Sequence, residues 1–129
     1  MHLLVDTHVL LWAIAEPQKL PRGSQAKLEA AENEVLFSAA SIWELAIKLQ
    51  IGRLVLPVEL EDIIEAAKTM GFAELPVSAA HAARVRRLPL YHRDPFDRLL
   101  VAQAIYEPAR LLTADRTLGQ YSNLVEVIV

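Results

Sequence analysis

The sequence contains no cysteine. This absence excludes disulfide bonds and thiolate metal sites, and it leaves oxygen ligands and histidine for any metal chemistry. Long hydrophobic runs are absent too, because the longest, residues 9–15, is far shorter than the ~20 apolar residues that cross a bilayer. The amino-terminal residues include no basic leader, so a signal peptide is not expected. We therefore expect a cytoplasmic protein without membrane contact.

An excess of positive charge is also absent. The chain has 13 Lys and Arg residues against 16 Asp and Glu, which gives a net charge of −3. Overall charge therefore does not attract nucleic acid, and any such contact must be local or mediated by bound cations. We find no repeats, low-complexity tracts or linkers. With 129 residues, 53% of them hydrophobic, the chain is expected to form a single domain over residues 1–129.

Apolar runs alternate with segments of helical spacing along the chain. Buried strands are predicted at residues 3–5, 34–38, 75–77, 110–113 and 125–128. Helices are predicted at residues 7–15, 24–31, 41–50, 58–70, 78–88 and 94–106. This order predicts an α/β fold, a three-layer sandwich in which helices flank a central, mostly parallel sheet.

Four acidic residues fall at one edge of the predicted sheet. Asp6 ends the first strand, and Asp115 follows the fourth. Glu44 and Asp97 each lie in the first turn of a predicted helix. In a parallel α/β sheet, the carboxyl ends of the strands and the starts of the following helices share one edge, where ligand sites form. The four carboxylates are therefore predicted to converge.

Each acid also has a structural explanation. Asp6 and Asp115 suit the N-cap position of a helix, where a carboxylate accepts hydrogen bonds from free amides. Ser41 and Glu44 have the spacing of a capping box. Asp94 precedes a proline and is predicted to cap its helix rather than to join the site. For the other acids, spacing alone leaves both capping and chemistry open.

Electrostatics favours a bound cation if the four acids do meet. Two carboxylates about 5 Å apart repel by roughly 3 kcal/mol at an effective dielectric constant of ~20. A cluster of them therefore protonates or binds cations. Oxygen ligands suit Mg²⁺ or Mn²⁺, and such ions activate water and neutralise charge on a phosphodiester.

Several segments resemble the motifs of PIN-domain proteins, especially the VapC-type toxins of toxin–antitoxin pairs. Residues 92–104, HRDPFDRLLVAQA, are similar to the family signature, and residues 5–12, VDTHVLLW, to its opening strand and acid. Residues 38–44, SAASIWE, resemble the second acidic element, and residues 112–115, LTAD, the last. The resemblance covers essentially the whole chain in the order and spacing of the family.

This resemblance implies a PIN fold in which four acids are catalytic and hold divalent cations, Mg²⁺ or Mn²⁺: Asp6, Glu44, Asp97 and Asp115. Thr7 and Thr113 are implied to support the site with their hydroxyls. The implied activity is endonucleolytic cleavage of RNA by metal-activated water, without a covalent intermediate. The implied partners are the RNA substrate, a VapB-type antitoxin and a second copy of the chain in a homodimer.

Basic residues are densest around the signature segment. Arg98 and Arg93 are the candidates for holding the RNA backbone, because the arginine fork matches phosphate geometry. A solvated face or a docking surface for an acidic partner explains them equally well. Among the histidines, we expect His8 to be packed or capping and His81 to lie at the helix surface or an interface. His92 is expected to anchor its loop or to touch phosphate.

Two other functions are alternatives to the ribonuclease. A catalytically inactive PIN-fold module that only binds proteins would use the acids as caps, and the complete acidic set argues against it. A phospho-acceptor domain would use Asp6 as its nucleophile. That class needs a second acid two positions further on, where His8 stands, and a lysine after the strand that ends at Thr113. The remaining aromatic candidates, Trp12, Trp43 and Phe96, are expected in the core rather than stacked on bases.

Overall fold

The computed structural model describes all 129 residues. Its five strands form one sheet with the order β3-β2-β1-β4-β5, and every pairing is parallel. The strands are β1 (His2–Val5), β2 (Glu34–Ser38), β3 (Ala73–Leu75), β4 (Arg110–Thr113) and β5 (Val125–Val127). The helices are α1 (Thr7–Ala15), α2 (Arg22–Glu29), α3 (Ala39–Gln50), α4 (Leu60–Thr69), α5 (Ala79–Arg84) and α6 (Pro95–Tyr106). The predicted α/β class is confirmed.

Both faces of the sheet are buried, as the continuously apolar strands require. Leu3 and Val5 of β1 belong to one core cluster and Leu4 to another, because successive side chains of a strand point to opposite faces. Residues of α1 and α4 pack in the first cluster, and residues of α6 fill much of the second. The sheet is therefore the middle of three layers. None of the helices combines the length and apolar character that a bilayer crossing requires.

Two of the predicted boundaries that differ from the structure lie around Pro76 and in the basic segment that follows it. The third strand is predicted at residues 75–77, but β3 ends at Leu75, because Pro76 has no amide to donate to the ladder. The basic helix predicted at residues 78–88 ends at Arg84 and continues as a 3₁₀ turn over Val85–Arg87.

The start of α3 corrects a third prediction. Ser38 is extended, ends β2 and accepts a hydrogen bond from the Ala40 amide at 3.0 Å, so the helix begins at Ala39. Ser41 is therefore inside the helix, and the capping box that the spacing of Ser41 and Glu44 left open does not form. Glu44 lies in the second turn rather than the first, and its carboxylate is free to take part in tertiary contacts.

The sheet register aligns the carboxyl ends of β1, β2 and β4. Val5 of β1 is paired with Phe37 of β2 on one side and with Leu112 of β4 on the other. The next residue along β1, Asp6, donates its amide to the Leu112 carbonyl at 3.0 Å. Asp6 and Thr113 therefore lie side by side at the carboxyl edge of the sheet, close to the start of α3.

Candidate active site

Asp6 has two roles at this edge. Its side chain is only 4% exposed. Oδ1 accepts the Val9 amide at 2.8 Å and so caps α1, while Oδ2 accepts the hydroxyl of Thr113 at 2.5 Å. Burial raises the pKa of the Asp6 carboxyl, although the Thr113 and Val9 hydrogen bonds act in the opposite direction. Capping and membership of the acidic site are thus compatible in one side chain.

Glu44 is held at both carboxylate oxygens and is also buried. The Thr7 hydroxyl donates to Oε1 at 2.7 Å, and the Lys48 ammonium binds Oε2 at 2.6 Å. Thr7 also shares a hydrogen bond of 3.0 Å with the Ser41 hydroxyl, which ties the first turn of α1 to α3. The bond to Glu44 raises the pKa of Lys48. Lys48 was not recognised from the sequence, although its i, i+4 spacing from Glu44 is a signal for such a pair.

Asp97 lies in the first turn of α6, as predicted. Asp94 caps this helix, because its Oδ1 accepts the amides of Phe96 at 2.8 Å and Asp97 at 3.2 Å. Burial, followed by repulsion from Asp94, Glu44 and Asp6, raises the pKa of Asp97 to about 7. Three other carboxylates therefore act electrostatically on Asp97.

Asp115 occupies a more exposed position, with 38% of its side chain accessible. Its Oδ1 accepts the Thr117 amide at 2.9 Å and caps the 3₁₀ turn at Arg116–Gln120. Its Oδ2 is 2.8 Å from Nε2 of His92. Partial burial acts to raise the pKa of the Asp115 carboxyl, but the His92 and Thr117 hydrogen bonds outweigh it and lower the pKa.

Three of the four predicted acids line one open cavity of about 400 Å³: Asp6, Asp97 and Asp115. Glu44 does not line this cavity, but its charge acts on Asp97. His92, for which the sequence leaves two roles open, joins the group, because its ring and the carboxylates of Asp97 and Asp115 offer atoms within 4.8 Å of one another. Thr7 and Thr113 contact the acids that they were expected to support.

The two predicted RNA-binding arginines are placed differently. Arg93 is exposed on the loop before α6. Arg98 is partly buried, and its Nη2 donates to the carbonyls of Val85 at 3.3 Å and Leu88 at 3.2 Å. Arg98 therefore fastens the 3₁₀ turn beside α6. A contact with RNA remains a prediction for both residues.

Three expectations about ring side chains are wrong. His8 is exposed rather than packed, because the apolar residues around it, rather than His8, face the sheet. His81 is only 3% exposed instead of lying at the surface, since its Nε2 bonds Glu107 at 2.6 Å and its Nδ1 accepts the Ser78 amide at 3.0 Å. Trp43 is 60% exposed, and its ring meets that of Phe96 in a T-shaped arrangement with the centroids 5.1 Å apart.

The architecture is that of a parallel α/β domain that gathers acids at the carboxyl edge of its sheet. The sequence profile described as PIN domain matches residues 3–124. The chain belongs to the PIN domain family, which confirms the resemblance found in its motifs.

Individual relatives agree with this assignment. "Ribonuclease VapC22" of Mycobacterium tuberculosis is 35% identical over 126 residues, which covers 94% of this chain and 92% of the relative. A chain in the crystal structure of VapBC2 from Rickettsia felis bound to a DNA fragment from their promoter matches with a TM-score of 0.70. It covers 98% of each chain at 19% identity, so this second likeness demonstrates the shared fold.

Proposed function

We propose that this protein is a divalent-metal-dependent endoribonuclease and the toxin of a VapBC-type toxin–antitoxin pair. Family membership and the similarity to a protein named a ribonuclease support this proposal. The observation that carries it is the electrostatic state of Asp97, whose pKa is raised to about 7 by burial and by Asp94, Glu44 and Asp6. A fold that brings these charges together is stabilised by a cation at that position.

The donors present fit Mg²⁺ or Mn²⁺. Both ions prefer carboxylate oxygens, and the three acids that line the cavity offer only such atoms. Asp6, Asp97 and Asp115 are the residues proposed to hold the ion, and Glu44, which does not line the cavity, adds negative charge that acts on Asp97. When bound, a divalent cation there supplies an activated water and neutralises charge on the phosphodiester.

The surrounding side chains prepare the acids for this role. Thr113 and the Val9 amide fix the two oxygens of Asp6, and Thr7 fixes Glu44. A carboxylate whose direction is already set loses little freedom when it binds a ligand. Lys48 balances the buried charge of Glu44, while the Lys48 side chain itself remains partly exposed.

The proposed partners are an RNA substrate, a VapB-type antitoxin and a second copy of the chain. The likeness to a chain of the VapBC2 structure supports the antitoxin. An apolar groove of about 490 Å³ between α3 and α4, with Leu49, Leu56, Val58 and Leu60 in its wall, is surface of the kind that a protein partner covers. Arg93 is proposed to contact phosphate, and the cytoplasmic location and single domain remain predictions.

A nuclease assay tests the catalytic proposal. The purified protein is incubated with total RNA in EDTA, Mg²⁺ or Mn²⁺, together with Asp6→Asn and Asp97→Asn, and Mn²⁺ binding is measured by calorimetry. Asparagine keeps an acceptor oxygen, so the Val9 amide retains its cap. We expect cleavage only with a divalent ion and loss of both cleavage and binding in the two variants.

The matched control is Asp62→Asn, the same change at an exposed acid of α4, which leaves cleavage unchanged. The alternative function, an inactive protein-binding module, is favoured by the capping contacts of Asp6 and Asp115. Intact Mn²⁺ binding in both site variants, or cleavage that persists in EDTA, would contradict the metal-dependent mechanism.

A further inference from the structure

His92 occupies a defined place between the signature loop and the turn that carries Asp115. Its side chain is 19% exposed. Its backbone amide donates to the Tyr121 hydroxyl at 2.9 Å. Its ring contacts a neighbour at each nitrogen, the Asp94 amide at Nδ1 and Asp115 at Nε2. Three contacts therefore fix the position and direction of the imidazole.

The contact at Nδ1 determines where the ring proton lies. The Asp94 amide is 3.0 Å from Nδ1, and a backbone amide can only donate. Nδ1 must therefore present a lone pair. In the neutral imidazole the proton is then on Nε2, from which it points to Asp115 Oδ2 at 2.8 Å. The nearer oxygen of Asp97, Oδ2, is 3.6 Å from the same nitrogen.

This tautomer decides whether the ring is a metal ligand or a hydrogen-bond donor to the acids. Ligand atoms around a small divalent cation lie about 3 Å apart, so the spacing of His92, Asp97 and Asp115 alone is compatible with a nitrogen ligand. A histidine ligand, however, binds the metal through a nitrogen without a proton and donates from its other nitrogen. His92 has the reverse arrangement, because the nitrogen facing the acids carries the proton.

We propose that His92 is a positioning residue, which donates Nε2–H to Asp115 and orients this carboxylate without binding the metal itself. This inference rests on the proposed function for its effect on cleavage. Oδ1 of Asp115 accepts the Thr117 amide and Oδ2 accepts His92. Donors thereby direct both oxygens of this carboxylate, which has an atom within 4.8 Å of Asp97.

The tautomer is measured directly by nuclear magnetic resonance. Protein with ¹⁵N-labelled histidine is studied at pH 8 by long-range ¹H–¹⁵N correlation, and the signals of His92 are identified by their absence in His92→Gln. We expect a proton on Nε2 and a proton-free Nδ1, both unchanged when Mg²⁺ is added. A proton on Nδ1, a doubly protonated ring, or loss of the Nε2 proton with Mg²⁺ would overturn the inference.

Two substitutions test the effect on Asp115. Glutamine places an N–H donor close to the position of Nε2, whereas leucine offers none. We expect His92→Leu to lower the kcat for RNA cleavage about 10- to 100-fold, with little change in KM, and His92→Gln to restore most of the rate. The matched control is His2→Leu, at an exposed histidine of β1.

The outcomes separate this inference from the proposed function. Equal losses in His92→Gln and His92→Leu would contradict the donor role while leaving the metal-dependent nuclease intact. If the unaltered protein cleaves no RNA at all, the proposed function fails, and the spectrum of the ring still decides which nitrogen carries the proton.

Discussion

The acidic site has a buried half and an exposed half, and identical side chains behave oppositely in them. In the buried half, Asp6 and Asp97 lose hydration and have raised pKa values. In the exposed half, Asp115 has a lowered pKa, because donors from His92 and Thr117 outweigh its partial burial. The comparison teaches that burial disfavours the charged form of the inner acids, while hydrogen bonds favour the charged form of the outer one.

The largest effect that distinguishes the halves is expected in catalysis. Under the proposed mechanism, Asp97→Asn removes a ligand of the cation and, with it, several kcal/mol of transition-state stabilisation. We expect cleavage of RNA to fall about a thousandfold or more. Single-turnover cleavage rates at saturating Mg²⁺ measure this loss. A fall no greater than that of Asp115→Asn would remove the distinction between the halves.

The second prediction concerns stability without metal. The pKa of Asp97 is about 7 in the folded protein and lower in the unfolded chain, so the folded state binds the proton more tightly. Its contribution is fully present below the unfolded pKa and is lost as pH rises through about 7. Asp97→Asn is therefore expected to stabilise the metal-free protein at pH 8, by up to about 4 kcal/mol.

Urea unfolding at pH 5.5 and pH 8, with EDTA and with Mg²⁺, measures this linkage. Mg²⁺ is expected to stabilise the unaltered protein more at pH 8 than at pH 5.5, because Asp97 must lose its proton to bind the ion. Asp62→Asn serves as the control and should show no such dependence. Equal stabilisation by Mg²⁺ at both pH values would contradict the assignment of Asp97.

A third prediction sharpens the role of Lys48 in the buried half. Its ammonium occupies Oε2 of Glu44 and repels a cation that approaches the acids. We expect Lys48→Met to tighten Mn²⁺ binding roughly tenfold and to destabilise the metal-free protein, because Glu44 loses its counter-ion. Calorimetric titration measures the affinity, with Lys68→Met on α4 as the matched control. Weaker Mn²⁺ binding in Lys48→Met would mean that the lysine assists the ion.

The smallest effect is expected in the exposed half. The pKa of Asp115 is lowered, so its contribution to stability is present above the unfolded pKa and is lost as pH falls through the folded value. Because the side chain is more than a third exposed, solvent screening limits this contribution to under about 1 kcal/mol. Urea unfolding of Asp115→Asn at pH 7 and pH 3 tests this, and a gain in stability at pH 7 would place Asp115 with the inner acids.

Much of the fold can be predicted from local sequence patterns. Strands buried on both faces are continuously apolar, and the residue after each strand lies at the carboxyl edge by the geometry of a parallel sheet. The same geometry predicts from sequence alone that Asp6, Glu44, Asp97 and Asp115 meet in one place, and three of the four line one cavity. Pro76 also carries a local signal, since its missing amide ends β3.

The remaining features depend on contacts between distant residues. Ser38 and Ser41 are both suitable caps, and only the point where β2 ends decides that Ser38 begins α3. His81 is buried because Glu107, distant in sequence, accepts its Nε2–H. The orientation of His92 likewise depends on the turn that carries Asp115. Periodicity predicts which face of a helix is apolar. It does not predict which polar side chain from another part of the chain will form a hydrogen bond with a residue of that helix.

The double engagement of Asp6 has a practical consequence for preparing an inert copy of the protein. Replacing Asp6 by alanine deprives the Val9 amide of its acceptor and weakens the start of α1 by about 1 kcal/mol. Asn at position 97 removes a repelled charge and leaves the Asp94 cap in place. Complexes with RNA or with a protein partner are therefore better captured with Asp97→Asn than with Asp6→Ala, because Asp97→Asn is expected to stabilise the metal-free fold rather than weaken it.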